Sequence, residues 1–274
     1  ELRLALANVH RPGALTPTVV LSLGLGLTLL VALSLVDASL RHELTGRLPA
    51  TAPSFFFVDV QDSEVAAFSD FMAAEAKGAE LERQPMLRGR IVSLKGIPAA
   101  DYPAPPSAEW VLRGDRGITY AESLPEGSTL VAGDWWPAGY AGPPLVSFAA
   151  DLAEELGVRV GDPLVVNVLG REIAATVGSL RTVDWETLGI NFVLVFSPNT
   201  FAGAPHAHLA TLTFPGGATA EREIALLNAV GKAFPTVTAV RVKEALDAVN
   251  VLVGDLALAV RAAASIALLA SVLV

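Results

Sequence analysis

Short runs of alternating apolar and polar positions fill the middle of the chain, and one order of elements occurs there twice. Each copy predicts a strand, an amphipathic helix and a second strand. The first copy covers residues 54–60, 63–77 and 84–94, and the second covers 208–214, 219–234 and 236–242. Asp62 and Thr219 stand where the N-caps of the two helices belong. Two such units, separated in sequence, predict one α+β layer in which helices cover a single sheet.

The sequence between the two copies has a different pattern and predicts a mostly-β subdomain. It is rich in Pro, Gly and Trp, as in DYPAPPSAEW and GDWWPAGYAGPP. Residues 151–157 (DLAEELG) predict one short helix. Residues 161–180 predict a hairpin, with Gly170 and Arg171 as its two-residue turn.

The stretch 181–198 (RTVDWETLGINFVLVFSP) carries the chain out of this insertion. Its continuous apolar run, 191–196, predicts a central strand of the α+β layer that is buried on both faces. Strand alternation assigns Phe192, Leu194 and Phe196 to one face, and Val193 and Val195 to the other. Trp185 is expected to pack at the junction of the two subdomains rather than to bind a ligand.

No charged residue occurs between Ala14 and Val36, which is long enough for a membrane-spanning helix of about 20 residues. A signal peptide is the alternative, but its apolar region is usually about 7–15 residues long and ends at a small-residue cleavage site. The segment therefore favours a membrane span.

A second apolar segment follows Asp255, but Ala262 to Val274 is shorter than a span of about 20 residues. Either it is a buried helix of a soluble protein or it is a second span cut short. The chain begins with Glu1 and its methionines are Met72 and Met86, so we expect a piece of a longer protein and favour a truncated span.

These patterns predict an α+β fold in four parts. They are a membrane-approach segment with a spanning or stalk helix (1–48), an α+β layer (49–100 and 190–242), an inserted β-rich subdomain (101–189), and a stalk with a truncated span (243–274).

Composition agrees with membrane content and removes several classes of function. The 274 residues are 52% hydrophobic, with a mean hydropathy of +0.51. The chain has no cysteine, which excludes disulfides and thiolate chemistry. Its formal charge of -9 argues against nucleic acid as a partner, because binding phosphates requires clustered Lys and Arg.

Candidate chemistry is sparse, and the sequence predicts no catalytic, cofactor-binding or metal site. The nucleophile motif G-x-S-x-G is absent. His206 and His208 would share one strand face as half of a zinc site, but spacing supplies no third ligand. Asp162 and Glu186 would approach them only through the tertiary fold. Ordinary surface histidines are the favoured interpretation.

Two residue pairs also have a structural and a functional interpretation. Glu154 and Glu155 are adjacent on a short helix, where their side chains diverge, and this favours a solvated face. Trp135 and Trp136 could form an aromatic platform for a lipid or sugar, but buried packing is the favoured interpretation.

The order of three segments resembles the FtsX-like (MacB/LolC-type) permease family of ABC transporters. The segments are LRLALANVHRPG (2–13), LAEELGVRVGDPLVVNVLG (152–170) and the stretch 181–198. They look similar to the YbbP-like predicted permeases, in which the first segment opens the second half. The resemblance implies a periplasmic porter-like layer with an inserted sabre-like subdomain, held between two transmembrane helices of a multi-pass protein of the bacterial inner membrane.

The same resemblance implies a non-catalytic transport subunit that takes its energy from a dimeric cytoplasmic ABC ATPase. The periplasmic domain would export or extract a hydrophobic, lipid-like substrate. The implied partners are this ATPase, the lipid bilayer and, optionally, a periplasmic hydrolase or accessory protein; no cofactor is implied. The alternatives are an extracytoplasmic sensor domain of a two-span signalling protein and a membrane-anchored hydrolase, the latter disfavoured by the missing nucleophile motif.

Overall fold

The structure is a computed structural model that describes residues 52–185 and 187–244, with isolated positions between 21 and 39 and between 251 and 262. The chain divides into two compact units, Pro49–Val242 and the pair Glu1–Leu48 with Lys243–Val274. Among the described residues, no helix combines the length and hydropathy of a membrane span. The predicted spans, 14–36 and the segment from 256, lie outside the described residues apart from isolated positions, and they stay predictions.

Eleven strands and four α-helices occur in the described part of Pro49–Val242. The strands are β1 (Phe55–Gln61), β2 (Glu80–Leu94), β3 (Ile97–Pro98), β4 (Arg116–Tyr120), β5 (Leu130–Gly133), β6 (Leu145–Ala149), β7 (Pro163–Val168), β8 (Arg171–Arg181), β9 (Leu194–Phe196), β10 (Ala207–Thr213) and β11 (Thr238–Arg241). The helices are α1 (Val65–Glu75), α2 (Glu109–Leu112), α3 (Ala150–Leu156) and α4 (Ala220–Ala233), and short 3-10 turns cover Asp62–Glu64 and Pro198–Phe201.

The α+β layer predicted from the repeated pattern is present. Its strands lie in the order β11-β1-β10-β2, and neighbouring strands are antiparallel. Helices α1 and α4 cover one face, where Phe57 meets Phe68 edge to face with ring centroids 5.2 Å apart. Burial of these aromatic rings is the main force that holds helices on the sheet.

The two predicted N-caps have different outcomes. Thr219 is the N-cap of α4, and its side chain accepts a hydrogen bond from the Arg222 backbone N–H at 3.3 Å. Asp62 is not an N-cap, because the chain makes a 3-10 turn over Asp62–Glu64 before α1 begins. The carboxylate of Asp62 points instead to the histidines of β10.

The insertion forms a closed ring of strands. β2 pairs with β4, β4 with β9, β9 with β6, β6 with β8, β8 with β7, and β7 returns to β2. The β4–β9 and β6–β8 pairs are parallel, and the others are antiparallel. Apolar side chains fill the interior, including Leu87, Ile91, Ile118 and Phe148. Closure leaves no free edge in the ring, which we call the barrel.

Strand β2 belongs to both parts. Its first half pairs with β10 of the layer, from Glu80 to Met86, and its second half pairs with β4 and β7 of the barrel from Leu87 onward. The layer and the barrel are therefore joined through one continuous strand of 15 residues.

The predicted hairpin is present as β7 and β8, with its turn one residue earlier than the pattern indicated. Val168 pairs with Arg171, so Leu169 and Gly170 form the turn. Both have positive φ, 52° and 83°, as the two central residues of a type I′ turn require. Leucine rarely has a positive φ, so the sequence pattern did not indicate Leu169 as a turn residue. The predicted turn therefore began at Gly170, one residue too late.

The prediction that 191–196 returns to the α+β layer is wrong. β9 pairs with β4 and β6, so it closes the barrel. Its burial on both faces is confirmed, because residues 192–196 are all buried. Leu194 and Phe196 face the barrel interior, whereas Val195 packs with Trp136 outside it. Phe192 and Val193 depart from the predicted alternation because they precede the strand.

Candidate functional site

The face of the layer sheet that the helices leave uncovered forms one wall of a cleft. Register with the core residues of β1 places alternate side chains of β2 and β10 on this face. Those that line the cleft are polar: Glu80, Glu82 and Gln84 on β2, and Thr211 and Thr213 on β10. Because antiparallel sheets commonly carry one solvated face, a polar wall is compatible with the fold.

Two barrel loops form the opposite wall. They are residues 125–128 (PEGS) and a second loop, of which Asp184 and residues 187–191 line the cleft, and the space between the walls is about 630 Å³. Glu80, Glu82 and Glu126 give the cleft an acidic character, with Arg83 at its border. Since one wall comes from the layer and the other from the barrel, any bending along β2 would change the width of the cleft.

A buried arginine anchors the start of the second loop. Arg181 ends β8 with only 1% of its surface exposed. Its guanidinium donates to the carbonyls of Ser147 at 2.8 Å and of Phe192. Loss of water around the guanidinium lowers the pKa of Arg181 to about 10, against a smaller opposing effect of Asp151, so the side chain remains charged at neutral pH. The apolar pattern around Arg181 gave no sign of this role.

The loop itself is held by a local set of hydrogen bonds. The Asn191 side-chain amide donates to the Asp184 carbonyl at 2.7 Å, and the Thr187 hydroxyl donates to the same carbonyl at 2.9 Å. Trp185 does not pack at the junction of the subdomains as the sequence predicted, since it is 42% exposed. Its indole N–H donates to Asp151 of α3 at 2.8 Å.

The tryptophan pair packs as the favoured interpretation expected. Trp136 is buried beside Phe192 and Val195, and Trp135 is half-buried against it. Each indole N–H donates to a backbone carbonyl, of Ala121 for Trp136 and of Glu122 for Trp135. Satisfied in this way, the rings support the loop wall rather than forming a free platform.

The remaining candidate residues are separated in the fold. Glu154 and Glu155 are both exposed on α3, in agreement with a solvated face. Asp162 accepts a hydrogen bond from the Arg159 backbone N–H and lies 3.8 Å from Lys95. Glu186 lies outside the described residues.

The two histidines differ from the surface residues that the sequence favoured. Their side chains are only 11% (His206) and 12% (His208) exposed. The ligand that spacing did not supply comes from the 3-10 turn after β1: the Asp62 carboxylate approaches both imidazoles. Asp62, His206 and His208 are the described residues that are placed to hold a metal ion.

The amino-acid sequence is similar to that of a known permease over most of its length. The chain is 27% identical over 237 residues to the "Uncharacterized ABC transporter permease YbbP" of Escherichia coli (strain K12). The chain resembles an ABC transporter permease. The match covers 86% of this chain, which spans 28% of the length of that relative. It confirms the resemblance to the YbbP-like permeases that the three sequence segments indicated.

Among solved structures, the chain matches the crystal structure of the periplasmic region of MacB from Actinobacillus actinomycetemcomitans. It is 9% identical, with a TM-score of 0.39, and the similarity covers 73% of this chain and 94% of that one. No family model matches the chain.

Proposed function

We propose that the chain is the transmembrane and periplasmic part of an ABC transporter permease, with Pro49–Val242 as its periplasmic domain. The observation that carries this proposal is the 27% identity to a permease across 86% of the chain. In this proposal a dimeric cytoplasmic ATPase supplies the energy, and the chain itself performs no catalysis. The domain transmits the resulting motion to a hydrophobic, lipid-like substrate at the bacterial inner membrane.

The way the chain enters and leaves the domain supports a place between two membrane helices. Phe55 at the start of β1 is paired with Arg241 at the end of β11. The next backbone hydrogen bond joins the Val242 N–H to the Ser54 carbonyl at 3.0 Å. The entry and exit points are therefore adjacent, as a domain inserted between two neighbouring helices requires.

The cleft is the feature of the domain that would respond to such motion. Its walls belong to different subdomains that share β2, and the barrel is closed on itself, so relative movement would concentrate along the shared strand. We propose that movement of the helices opens or narrows the cleft, and that this change moves the substrate or an accessory protein.

The test measures the width of the cleft in the complete permease assembled with its ATPase in lipid nanodiscs. Ser128→Cys and Thr213→Cys place one thiol on each wall. These 274 residues contain no cysteine, and any cysteine elsewhere in the complete permease is first replaced by serine. Bismaleimides of increasing length would be applied without nucleotide and with ATP and vanadate. We expect the length that gives the best cross-linking to differ between the two states.

The matched control is the pair Ser128→Cys with Leu188→Cys, because both positions lie on the barrel wall of the cleft. Its cross-linking should not depend on nucleotide. A cleft pair that is equally insensitive, in a complex that hydrolyses ATP, would contradict the proposed transmission of motion. Failure of the complete protein to associate with any ABC ATPase would favour the alternative sensor function.

A further inference from the structure

The register between β1 and β10 brings one carboxylate and two imidazoles together. Val60 pairs with His208 and Gln61 with Ala207, so the residue that follows β1, Asp62, comes next to the residue that precedes β10, His206. Residues two apart on a strand share a face, which puts both histidines on the side of Asp62. His208 is therefore placed by backbone pairing, and Asp62 and His206 lie one residue beyond the last pair of the same two strands.

A β-bulge is what turns Asp62 toward the histidines. Phe57 pairs with Ala210 and Val60 with His208, so β1 has one residue more than β10 between these pairs. Asp59 lies in the bulge with a φ of 64°, a strained value for a residue other than glycine. Without the bulge, Asp59 and Gln61 would take the places on this face. Bulges often re-aim a side chain next to a functional site.

Hydrogen bonding fixes the imidazole of His206 in a form that can bind a metal. Its Nδ1 lies 2.9 Å from the Ala204 carbonyl, which can only accept, so Nδ1 carries the proton. When the imidazole is neutral, Nε2 then presents a lone pair; the Tyr120 hydroxyl lies 3.1 Å from Nε2, and a metal ion would replace that hydrogen bond. An imidazole whose other nitrogen donates to a carbonyl is the usual arrangement in a metal site.

The second imidazole is directed at the same carboxylate. His208 Nε2 lies 3.2 Å from Asp62 Oδ1, and only 12% of the His208 side chain is exposed. Binding a metal through Nε2 of His208 requires the proton to be on Nδ1, which is buried without a hydrogen-bond partner. This unsatisfied N–H would weaken metal binding by about ten- to hundredfold.

The distances between donor atoms fit a tetrahedral ion. Asp62 Oδ1 lies 3.5 Å from His206 Nε2 and 3.2 Å from His208 Nε2. Metal bonds of about 2.0–2.1 Å in tetrahedral geometry separate neighbouring ligand atoms by about 3.3 Å. We infer that Asp62, His206 and His208 bind a divalent transition-metal ion, with a fourth position open toward solvent.

The type of ligand selects the class of ion. Imidazole nitrogen suits zinc, copper, nickel and iron, whereas calcium and magnesium prefer oxygen ligands throughout. Asp62 is 64% exposed, which provides a route for the ion from solvent to the two nearly buried imidazoles. The ion would connect the end of β1 to β10 beside Tyr120, where the layer meets the barrel.

The test uses Zn²⁺ itself and the complete chain in detergent micelles. His10→Ala and His42→Ala first remove the other two histidines, so the remaining imidazoles are those of the site. Isothermal titration calorimetry should then show one Zn²⁺ per chain, and Co²⁺ should give the visible absorption of a tetrahedral complex. Calcium at the same concentration should not bind at the site.

Asp62→Ala is the decisive variant because its exposed side chain can be removed without opening the core. We expect Zn²⁺ binding to weaken by about a hundredfold or more, because loss of a residue that only supports a ligand already costs about ten- to hundredfold. Asp70→Ala, an exposed aspartate on α1, is the matched control and should bind as the background chain does. His208→Gln should lose Zn²⁺ binding, with the metal-free melting temperature as the check on folding.

Two results would overturn the inference. One is a background chain that binds no Zn²⁺ at about 1 mM, a concentration that would half-saturate even a weak site. The other is an Asp62→Ala variant that binds Zn²⁺ within about threefold of the background chain, since the carboxylate would then not be a ligand. Neither result depends on the proposed transport function, because no ATPase or substrate is present.

Discussion

Arg181 shows how a single buried side chain can hold a loop wall in place. Its guanidinium bonds the carbonyls of Ser147 and Phe192, which lie on two separate segments. Burying a charge is unfavourable, and the lowered pKa of about 10 reflects that cost. The bonds to otherwise buried carbonyls oppose it, because each carbonyl left without a donor costs about 1–3 kcal/mol.

We predict that Arg181→Met lowers the free energy of unfolding by about 1–3 kcal/mol, the cost of buried carbonyls without donors. Denaturant unfolding followed by circular dichroism would measure it. Arg171→Met, at the exposed start of the same strand, should change stability little. An Arg181→Met variant as stable as the native chain would mean that relief of the buried charge offsets the lost bonds.

Phe196 is the side chain of β9 on which the barrel core most depends. It is fully buried and meets Phe201 edge to face, with ring centroids 5.1 Å apart. Phe196→Ala should lower the free energy of unfolding by about 3–5 kcal/mol, the usual cost of a buried Phe. Phe56→Ala, on the half-exposed face of the layer, should cost clearly less. Unchanged melting of Phe196→Ala with lost ligand binding would make 181–198 a ligand surface instead.

At the scale of elements, β2 needs a glycine where it crosses from the layer into the barrel. Gly89 pairs with Arg116 on one side and Val168 on the other. A Cβ added there would lie 2.7 Å from Ile118 Cδ1 and 3.1 Å from Val168 Cγ2. The absence of a side chain at this position lets the barrel interior close over the strand.

Gly89→Val should therefore overpack the barrel and lower the free energy of unfolding by about 1–3 kcal/mol. Arg88→Val, whose side chain is exposed at the adjacent position, is the control and should cost less. Thermal unfolding of the two variants would compare them. Equal melting temperatures would show that Ile118 and Val168 rearrange freely around the added methyl groups.

Sequence periodicity was sufficient to predict that these elements exist, although β1 and β2 pair with strands far away in the chain. The two strand–helix–strand units and the β7–β8 hairpin follow from local patterns and turn residues, and Thr219 marks its helix correctly. The partners of β9 could not be predicted, because a run of apolar residues shows that a strand is buried but not which strands flank it. The position of Asp62 beside His206 could not be predicted either, because it depends on a β-bulge at Asp59. The sequence around Asp59 does not indicate a bulge.

At the scale of the whole molecule, the domain joins its two flanking segments at adjacent points. The paired ends of β1 and β11 place Ser54 and Val242 next to each other. If 14–36 and the segment from 256 cross the bilayer, this adjacency predicts that they enter the same membrane face side by side. That arrangement is the central claim of the proposed permease architecture.

Disulfide cross-linking in native membranes tests this claim most directly. Arg41→Cys and Ala248→Cys are introduced together, and the absence of native cysteines makes any cross-link attributable to the pair. Each single variant is the control for bonds between molecules. We predict an intramolecular disulfide that reducing agent reverses. Failure of this pair and of the neighbouring pairs one helical turn away on each side would contradict a domain held between two adjacent membrane helices.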